Sequence, residues 1–429
     1  MEQILIKDLA NFVDQEVIIQ AWVYNFRSSG KIAFWQLRDG SGFTQAILSS
    51  EDLSEAKWQE AQKMSLETSV KIIGKISKHP KKEEYEIQVK DFEIYQLAEE
   101  YPIAKKDHGV DFLLDNRHLW LRSSKQWAIQ RVRNTLISAT YDFFREHDFI
   151  KIDSPILTPN ACEGTTELFE LDYFDNKAFL SQSGQLYLEA AIFAHGRVFD
   201  FGPVFRAEKS KTRRHLTEFW MMDAEMAFVD LEQNIQTQED LIRFLVQTVL
   251  EKNKTELEIL ERDIKPLENV TKPFYKITYA EAIKTLQKLG SKIKDGDDLG
   301  AEDETKLTTE FDNPIFITHY PAAIKSFYMK RDAEDQKLSL CSDLLAPEGY
   351  GEIIGGSQRE DDYKILLKRI KEHKLSVEDF QWYLDLRKYG SVPHGGFGFG
   401  LERIVTWVCG VPHVRETIPF PRTIYRIKP

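Results

Sequence analysis

The chain has 429 residues, enough for two or three domains, and its 42% hydrophobic and 29% charged content is ordinary for a globular protein. The net charge of −12 argues against non-specific binding of nucleic acid by the whole surface, although local basic patches such as 209–214 and 422–428 remain candidates. No run reaches the ~18 apolar residues that span a membrane, no secretory signal pattern opens the chain, and Cys162, Cys341 and Cys409 offer neither a disulfide framework nor zinc-ligand spacing, so we expect a cytoplasmic protein.

Residues 1–97 are predicted to form a small β-barrel. A helix-like stretch, EDLSEAKWQEAQKM, lies between the third and fourth of five runs that are rich in apolar and β-branched residues. The runs occupy 17–24, 32–38, 43–48, 69–76 and 85–97. Five short strands with one helix after the third is the order of an OB-fold barrel, so the sequence predicts that fold for residues 1–97.

A second, larger domain is predicted over residues 123–429, after a hinge at 98–122 where charged residues and a proline interrupt any period. The spacing beyond the hinge predicts a helix with one apolar stripe: Trp127, Ile129, Val132, Leu136, Ile137, Tyr141 and Phe144. The remainder mixes strands and helices without βαβ alternation, which favours an α+β architecture. Residues 251–312 are interpreted as an insertion, charged and helix-prone, that carries no chemistry identifiable from its sequence.

Two distant segments, FRAEKSKTRRHLTEF (205–219) and GGFGFGLER (395–403), suit a nucleotide. The guanidinium fork of arginine matches phosphate oxygens, and glycines let backbone approach a ligand closely. The candidate phosphate ligands in these segments are Arg206, Arg214, His215 and Arg403. The first segment fits strand–loop–strand, with Arg206 and Glu208 on one face, although such a pair is often an ordinary surface contact. Phe219 offers a flat surface for a purine, or packs in the core.

Carboxylates in two further segments are candidate ligands. Asp343 and Glu352, in CSDLLAPEGYGEIIGGSQRE (341–360), could hold magnesium beside a phosphate, or form structural salt bridges. In SQSGQLYLEA, a helix that begins near Gly184 would place Gln185 and Glu189 on one face together with Leu188.

Together these segments resemble the class II aminoacyl-tRNA synthetases of the aspartyl, asparaginyl and lysyl subgroup. FIKIDSPIL (149–157) is similar to the first class motif, an element of the dimer interface marked by Pro155, and the two segments above are similar to the second and third motifs. The resemblance covers essentially the whole chain. The strings VRETIPFPR, EFWMMDAEMAF and GYGEIIGGSQRE resemble in particular the bacterial asparaginyl members.

The resemblance implies an N-terminal five-stranded OB-fold barrel that binds the anticodon, followed by a catalytic domain on an antiparallel sheet flanked by helices. It implies a nucleotide site of Arg206, Glu208, Arg214, His215, Phe219 and Arg403. In that site Arg206 bridges the α-phosphate and the amino-acid carboxylate, Arg403 and His215 hold the outer phosphates, and Phe219 stacks on adenine. Asp343 and Glu352 would coordinate magnesium.

The resemblance further implies that Glu163 and Gln185 receive the ammonium group of the amino acid. In the barrel it implies that Phe34 stacks on an anticodon base while Arg27 and Gln45 read neighbouring edges, as aromatic residues do on splayed single-stranded bases. The implied reaction needs no protein nucleophile. The amino-acid carboxylate attacks the α-phosphate of ATP, and a terminal ribose hydroxyl of the tRNA then takes the acyl group.

Residue chemistry favours asparagine over aspartate as the substrate. Similar aspartyl enzymes carry a lysine where this chain has Leu188, whereas Arg359, which meets the side-chain oxygen, remains. Glu189 would accept from an amide NH₂ and would repel a substrate carboxylate, unless it merely pairs with a neighbouring base. The predicted partners are therefore L-asparagine, ATP, tRNA(Asn) and a second copy of the chain, with no membrane.

Three alternatives remain open from the sequence. An aspartyl-tRNA synthetase, possibly non-discriminating, is the first, because the aspartate and asparagine anticodons share two bases. A tRNA-independent amino-acid-activating paralogue is the second, although residues 1–97 argue against it. A non-catalytic RNA-binding protein is the third, and the intact Arg206, Arg403, Asp343 and Glu352 argue against that.

Overall fold

The computed structural model describes residues 1–103, 106–159, 168–210 and 212–429, and these form two compact units, 1–109 and 110–429. Cys341 and Cys409 are buried free thiols, whereas Cys162 lies outside the described residues. Within the described ranges no helix combines the length and apolar character needed to cross a bilayer.

The elements are numbered in chain order. The strands β1 to β17 are Glu2–Gln3, Glu16–Ser29, Ile32–Arg38, Phe43–Ser49, Ser69–Lys78, Tyr85–Gln96, Ile150–Lys151, Leu157–Thr158, Glu170–Tyr173, Asn176–Leu180, Arg197–Phe205, Glu218–Ala227, Tyr275–Thr278, Ile315–Thr318, Cys341–Ala346, Gly351–Gln358 and His394–Gly400. The helices α1 to α13 are Glu55–Ala61, Val110–Asp115, Arg117–Trp120, Ser124–Glu146, Gln185–His195, Leu231–Lys252, Lys254–Ile259, Lys265–Glu268, Tyr279–Lys288, Ala301–Thr308, Tyr363–Glu372, Gln381–Asp385 and Leu401–Cys409. Short 3₁₀ helices cover Ile6–Phe12, Asn269–Thr271 and Val414–Glu416.

The first unit is a β-barrel in which β2 pairs with both β3 and β5, and β6 pairs with both β4 and β5, so that five strands close on one another. Alternate residues point inward, which places Trp35, Leu37 and Val23 at zero exposure in one core. Helix α1 follows the third barrel strand, and Ser54 caps it by accepting from the Lys57 N–H. The predicted OB-fold is confirmed.

The second unit is built on an eight-stranded sheet with the order β13-β14-β15-β16-β17-β12-β11-β7. Its inner pairs are antiparallel, as predicted, but the outermost pairs, β13 with β14 and β7 with β11, are parallel. The predicted α+β architecture is confirmed, with a mixed rather than purely antiparallel sheet. The segment interpreted as an insertion, 251–312, supplies edge strand β13 and helices α9 and α10.

Helix α4 begins where the sequence predicts, because Ser123 accepts a hydrogen bond from the Gln126 N–H at its first turn. Its buried face carries Ile129, Val132 and Leu136 into the main core, together with α6 and the inner strands. The predicted stripe is wrong at Tyr141, which is 39% exposed. Its ring lies at the margin of the core, where it contacts Phe199 with 5.6 Å between the ring centroids and leaves its other side in solvent. Two short helices, α2 and α3, occupy part of the predicted hinge.

Candidate active site

Four inner strands of the large sheet line a cavity of about 540 Å³. The register places Asp223, Gly398, Gly355 and Asp343 in one row across β12, β17, β16 and β15. The two middle positions of this row are glycines, so no side chain fills the space between the two aspartates. The backbone of β17 and β16 therefore forms the surface of the cavity at these positions, between the carboxylates of Asp223 and Asp343.

The glycine-rich segment is a strand, β17, rather than a loop. Phe397 and Phe399 point into the main core at 1% exposure, so the alternating glycines Gly396, Gly398 and Gly400 face the opposite side. A Cβ on Gly398 would lie 2.4 Å from an Asp223 oxygen, and one on Gly396 would overlap the carboxyl group of Glu225. Glycine at these positions leaves room for two buried carboxylates, a reason that sequence reasoning did not supply.

The cation-rich segment 205–219, described except at residue 211, runs from the end of β11 to the start of β12. The ladder ends at Phe205 opposite Glu218, so Arg206 and Glu208 lie just beyond the strand on which the sequence places them. The Arg206 N–H still donates to the Thr217 carbonyl at 3.0 Å, which holds the start of the loop close to the ladder. Glu208 lines a small hollow beside Arg206.

Among the loop residues that line the cavity are Arg206, Arg214 and His215, and Phe219 lines it from the start of β12. The Arg206 guanidinium lies 5.4 Å from the centroid of the Phe219 ring, and its Nε is buried without a hydrogen-bond acceptor among the described residues. Burial, followed by the charges of Arg403 and Arg206, lowers the pKa of His215 to about 4. His215 is therefore neutral at pH 7 in this state, and three guanidinium groups dominate the local charge.

Arg403 reaches the same cavity from α13. Its Nη1 donates to the Glu352 carboxylate at 2.8 Å and to the Glu352 carbonyl at 3.1 Å. Asp343 accepts from Lys325 Nζ at 2.7 Å. Both carboxylates line the cavity near Gly355, where a Cβ would lie 3.2 Å from Glu352 and 3.9 Å from Asp343. Each is thus paired with a cation on one side and open to the cavity on another.

No cluster of three or more His, Cys, Asp or Glu side chains in the described part of the chain is arranged to hold a metal ion. The two carboxylates nevertheless suit magnesium, which binds proteins through one or two carboxylates and completes its shell with phosphate and water oxygens. Burial raises the pKa of Asp343, and the nearby charge of Glu352 adds to that effect. A cation between the two groups would relieve this repulsion, so the donor set fits the predicted ion.

The opposite end of the cavity is lined by Ser183, Gln185 and Asp223. Asp223 accepts from Ser183 Oγ at 2.9 Å and from the Gly184 N–H at 2.8 Å. Burial raises the pKa of Asp223 to about 6. Glu163, predicted to lie here, is outside the described residues. Asp223 is a cavity carboxylate that sequence reasoning passed over, although its position two residues before Glu225 in an otherwise apolar strand is a usable signal.

Arg359 also lines the cavity, and it is held from behind by Glu225. Its Nε donates to Glu225 at 3.1 Å, its Nη2 donates to the same carboxylate, and its Nη1 donates to Ser357 Oγ at 2.6 Å. Burial raises the pKa of Glu225, whereas the charge of Arg359 and the hydrogen bonds from its guanidinium favour the ionised carboxylate, which we take as the state of this pair. The side chain of Arg359 is 3% exposed and that of Glu225 is 1% exposed, so this pair is fixed beneath the cavity wall.

Glu189 lies one layer deeper and is not among the described residues that line the cavity. It accepts from Arg387 Nη2 at 2.6 Å, from Tyr383 Oη at 2.7 Å and from Gln185 Nε2 at 3.1 Å. Burial opposes its ionisation, but the charge of Arg387 prevails and lowers the pKa of Glu189. Glu189 therefore acts on the cavity only indirectly, by accepting a hydrogen bond from Gln185, which lines it. Leu188, in turn, packs in an apolar cluster with Ile192 and Val198.

Apart from Asp223, whose carboxylate lines the cavity, the charges buried behind the wall at this end balance. Two guanidinium groups, Arg359 and Arg387, face two carboxylates, Glu189 and Glu225, all of which are buried. Such an arrangement offers hydrogen bonds to a neutral polar side chain but no surplus charge to neutralise an anion. Arg387 carried no sequence signal, since one arginine in RKYGSVPH has no distinctive spacing.

The three predicted anticodon residues lie on the outer wall of the barrel. Arg27 and Phe34 are cross-strand neighbours on β2 and β3, with the guanidinium 4.6 Å from the ring centroid. Gln45 lies on the next strand and donates to Glu86 at 2.6 Å. Phe34 is half-buried and is not part of the barrel core. An aromatic ring with a flanking cation on an exposed sheet face suits an unstacked base.

Comparison with known families matches both units. The model of class II tRNA synthetases (D, K and N) matches residues 109–424, and the model of the OB-fold nucleic acid binding domain matches residues 17–95. These two matches leave only short stretches of the chain uncovered.

Individual relatives match over the full length. A curated asparagine–tRNA ligase of Pelotomaculum thermopropionicum is 54% identical over 430 residues and covers 100% of both chains, and one of Desulforamulus reducens is 53% identical with the same coverage. The crystal structure of asparaginyl-tRNA synthetase from Pyrococcus horikoshii, complexed with asparaginyl-adenylate, has a TM-score of 0.94 and 45% identity, and covers 98% of this chain and 97% of that one.

Proposed function

We propose that this chain, which belongs to the class II tRNA synthetases of the D, K and N group, activates L-asparagine with ATP and transfers it to the 3′ end of tRNA(Asn). The observation that carries the choice of amino acid is the charge-balanced wall formed by Arg359 with Glu225 and Arg387 with Glu189. It adjoins the cavity lined by Arg206, Arg214 and Arg403, whose cations suit a triphosphate.

In the first step the asparagine carboxylate attacks the α-phosphate of ATP and pyrophosphate leaves. Arg206 supports this step because its buried Nε lacks an acceptor among the described residues and its guanidinium lies over Phe219, where we place the adenine. Preorganised guanidinium groups stabilise charge that develops on the phosphate oxygens without reorganising during the reaction. Arg403 and Arg214 would bind the outer phosphates. Neutral His215 would form a hydrogen bond next to these phosphates.

In the second step a ribose hydroxyl of the tRNA terminus attacks the carbonyl of the adenylate, and AMP leaves. This transfer needs no covalent intermediate on the protein, so positioning and charge stabilisation account for the rate. Asp343 and Glu352 would hold magnesium. When bound, that ion would neutralise phosphate charge and orient the pyrophosphate leaving group.

Selectivity for asparagine follows from hydrogen bonding in a wall without surplus charge. Arg359 can donate to the side-chain carbonyl of the substrate, and the carboxylate of Glu225 behind it disfavours a second carboxylate nearby. Asp223 and Gln185, at the same end, would receive the ammonium group together with Glu163. Glu189 would act through Gln185, whose amide it orients.

The barrel would read the anticodon through Phe34, Arg27 and Gln45, all on one outer face. We further propose a cytoplasmic homodimer. The segment marked by Pro155 exposes Ile150, Ile156 and Leu157 at 48%, 43% and 43%, which is unusual for three apolar residues so close in sequence. Sedimentation equilibrium at micromolar concentration would give twice the chain mass if a dimer forms, and the single-chain mass if it does not.

Pyrophosphate exchange tests the proposed activation step. The purified protein, given ATP and magnesium, should exchange labelled pyrophosphate into ATP with asparagine and not with lysine, and should do so far more slowly with aspartate. Exchange with aspartate alone would overturn the choice of asparagine. If none of the three amino acids supports exchange, the proposed enzymatic function is wrong.

A further inference from the structure

The segment 251–312, to which sequence reasoning assigns no chemistry, contributes a wall of the nucleotide cavity. Helix α10 and the residues before it line the cavity through Asp298, Leu299, Gly300, Ala301 and Glu304. The first turn of α10 is acidic, which is ordinary at a helix N-terminus. An acidic turn beside a triphosphate site is unfavourable unless its charge is compensated, so the partners of each carboxylate matter.

Glu304 is the acidic residue of this turn that lines the cavity. It pairs with Arg214 Nη1 and accepts from the Glu352 N–H at 3.0 Å, and the two side chains of the ion pair are only 15% and 8% exposed. Glu302, in the same turn, is exposed. Glu304 therefore links α10, the cation-rich loop and the strand that carries Glu352.

The guanidinium of Arg214 is fixed by more than one acceptor. Its Nη2 donates to Thr305 Oγ1 and to the Gly349 carbonyl, each at 2.8 Å. Gly351, at φ +75°, makes room for the pair, because a Cβ there would overlap both Arg214 and Glu304. Arg214 Nε remains buried without an acceptor in the described ranges. The arginine is thus braced on one edge and keeps unsatisfied donor capacity.

Bracing matters for an arginine in this position. Its long, flexible side chain loses rotamer entropy on binding a ligand, and the neighbouring charges of Arg213 and Arg403 repel it. A carboxylate that already holds the guanidinium in the free protein reduces both the loss of side-chain entropy on nucleotide binding and the repulsion from the neighbouring arginines.

We propose that Glu304 is a positioning residue for the outer phosphates of ATP, which holds Arg214 at the cavity wall and so makes the segment 251–312 part of the nucleotide site. The inference rests on the proposed function, in which Arg214 receives those phosphates. Glu304 does not itself contact the phosphates, since its charge is already paired.

The decisive variant is Glu304→Asp, which keeps the charge of the cavity and withdraws the carboxylate from Arg214. In pyrophosphate exchange we expect the KM for ATP to rise about tenfold, the effect of one charge-assisted hydrogen bond, while the KM for asparagine and the inhibition constant of AMP change by less than about twofold. AMP lacks the outer phosphates and therefore reports the rest of the site. Glu302→Asp, on the same turn, is the matched control.

Three further variants separate the possible failures. Arg214→Lys should raise the KM for ATP, and adding Glu304→Asp to it should cause little further loss, because both act through the same guanidinium. If Arg214→Lys leaves the KM for ATP unchanged, the proposed place of Arg214 is wrong. If Arg214→Lys raises the KM for ATP and Glu304→Asp does not, the positioning role is wrong. It is also wrong if Glu304→Asp raises the inhibition constant of AMP as much as the KM for ATP. If Glu304→Asp does not fold, Thr305→Val replaces it, because valine removes one acceptor of Arg214. We then expect a smaller rise in the KM for ATP.

Discussion

The substitution Glu225→Gln tests whether the buried charges beside Arg359 set the choice of substrate. Glutamine keeps the size of the side chain and an oxygen that accepts from Arg359, but it removes one of the two carboxylates that balance Arg359 and Arg387. The wall of the cavity then carries a surplus positive charge. Aspartate, which the native wall disfavours, should gain affinity for the variant.

The magnitude follows from the separation of the charges. A substrate side chain that accepts from Arg359 brings its oxygens to within about 6 Å of Glu225, where two unit charges at an effective dielectric constant of 20 repel by about 3 kcal/mol. Removing that repulsion should lower the ratio of kcat/KM for asparagine to that for aspartate by about 100-fold. Most of the change should be a gain with aspartate, because the hydrogen bond from Arg359 to the amide oxygen is kept.

Pyrophosphate exchange with each amino acid, on the native protein and on the variant, measures that ratio. Glu189→Gln provides a graded comparison, since Glu189 lies 4.0 Å from Arg359 Nε and is paired mainly with Arg387. We expect it to lower the ratio by about tenfold, less than Glu225→Gln, because its charge lies deeper. A ratio that stays within twofold of native in Glu225→Gln, in a protein that still melts cooperatively, would refute the charge-balance reasoning.

Three other outcomes follow from the described contacts. Phe34→Ala should weaken tRNA binding in a filter-binding assay by at least about tenfold, the contribution of one stacked base, and should leave pyrophosphate exchange unchanged. A loss of both activities would indicate misfolding of the barrel instead. Asp343→Asn should raise the magnesium concentration for half-maximal exchange several-fold, and an unchanged magnesium requirement would remove Asp343 from the metal site. Because burial raises the pKa of Asp223 to about 6, this carboxylate loses its charge as the pH falls through 6, so the KM for asparagine should rise between pH 7 and 5; the same rise in Asp223→Asn would exclude this carboxylate as its cause.

Local patterns predicted the fold well where one residue type decides the structure. The runs at 32–38 and 43–48, which are rich in apolar and β-branched residues, predict strands, and both are barrel strands with alternate residues buried. The apolar spacing predicts a helix from residue 123, and α4 begins there because the Ser123 hydroxyl caps its first turn. The parallel edge strands β7 and β13 could not be predicted, because two to four residues are too few to reveal a pairing direction.

The candidate site was predictable as a set of cations and carboxylates, but not as a network. Arg359 stands out in the sequence, yet its partner Glu225 lies 134 positions away and becomes its neighbour only through the order of β12, β17 and β16. The same holds for Glu304 and Arg214, which are 90 positions apart. Long-range pairs of this kind depend on sheet topology, which local periodicity does not determine.

The most direct test of the proposed function is the identity of the amino acid that the protein attaches to tRNA(Asn). The protein is incubated with ATP, magnesium, the tRNA and an equimolar mixture of asparagine and aspartate, and the aminoacyl ester is hydrolysed and analysed by mass spectrometry. The charge-balanced wall of Arg359, Glu225, Arg387 and Glu189 predicts that asparagine accounts for nearly all of the recovered amino acid. Recovery of mainly aspartate, or of equal amounts of the two, would contradict it.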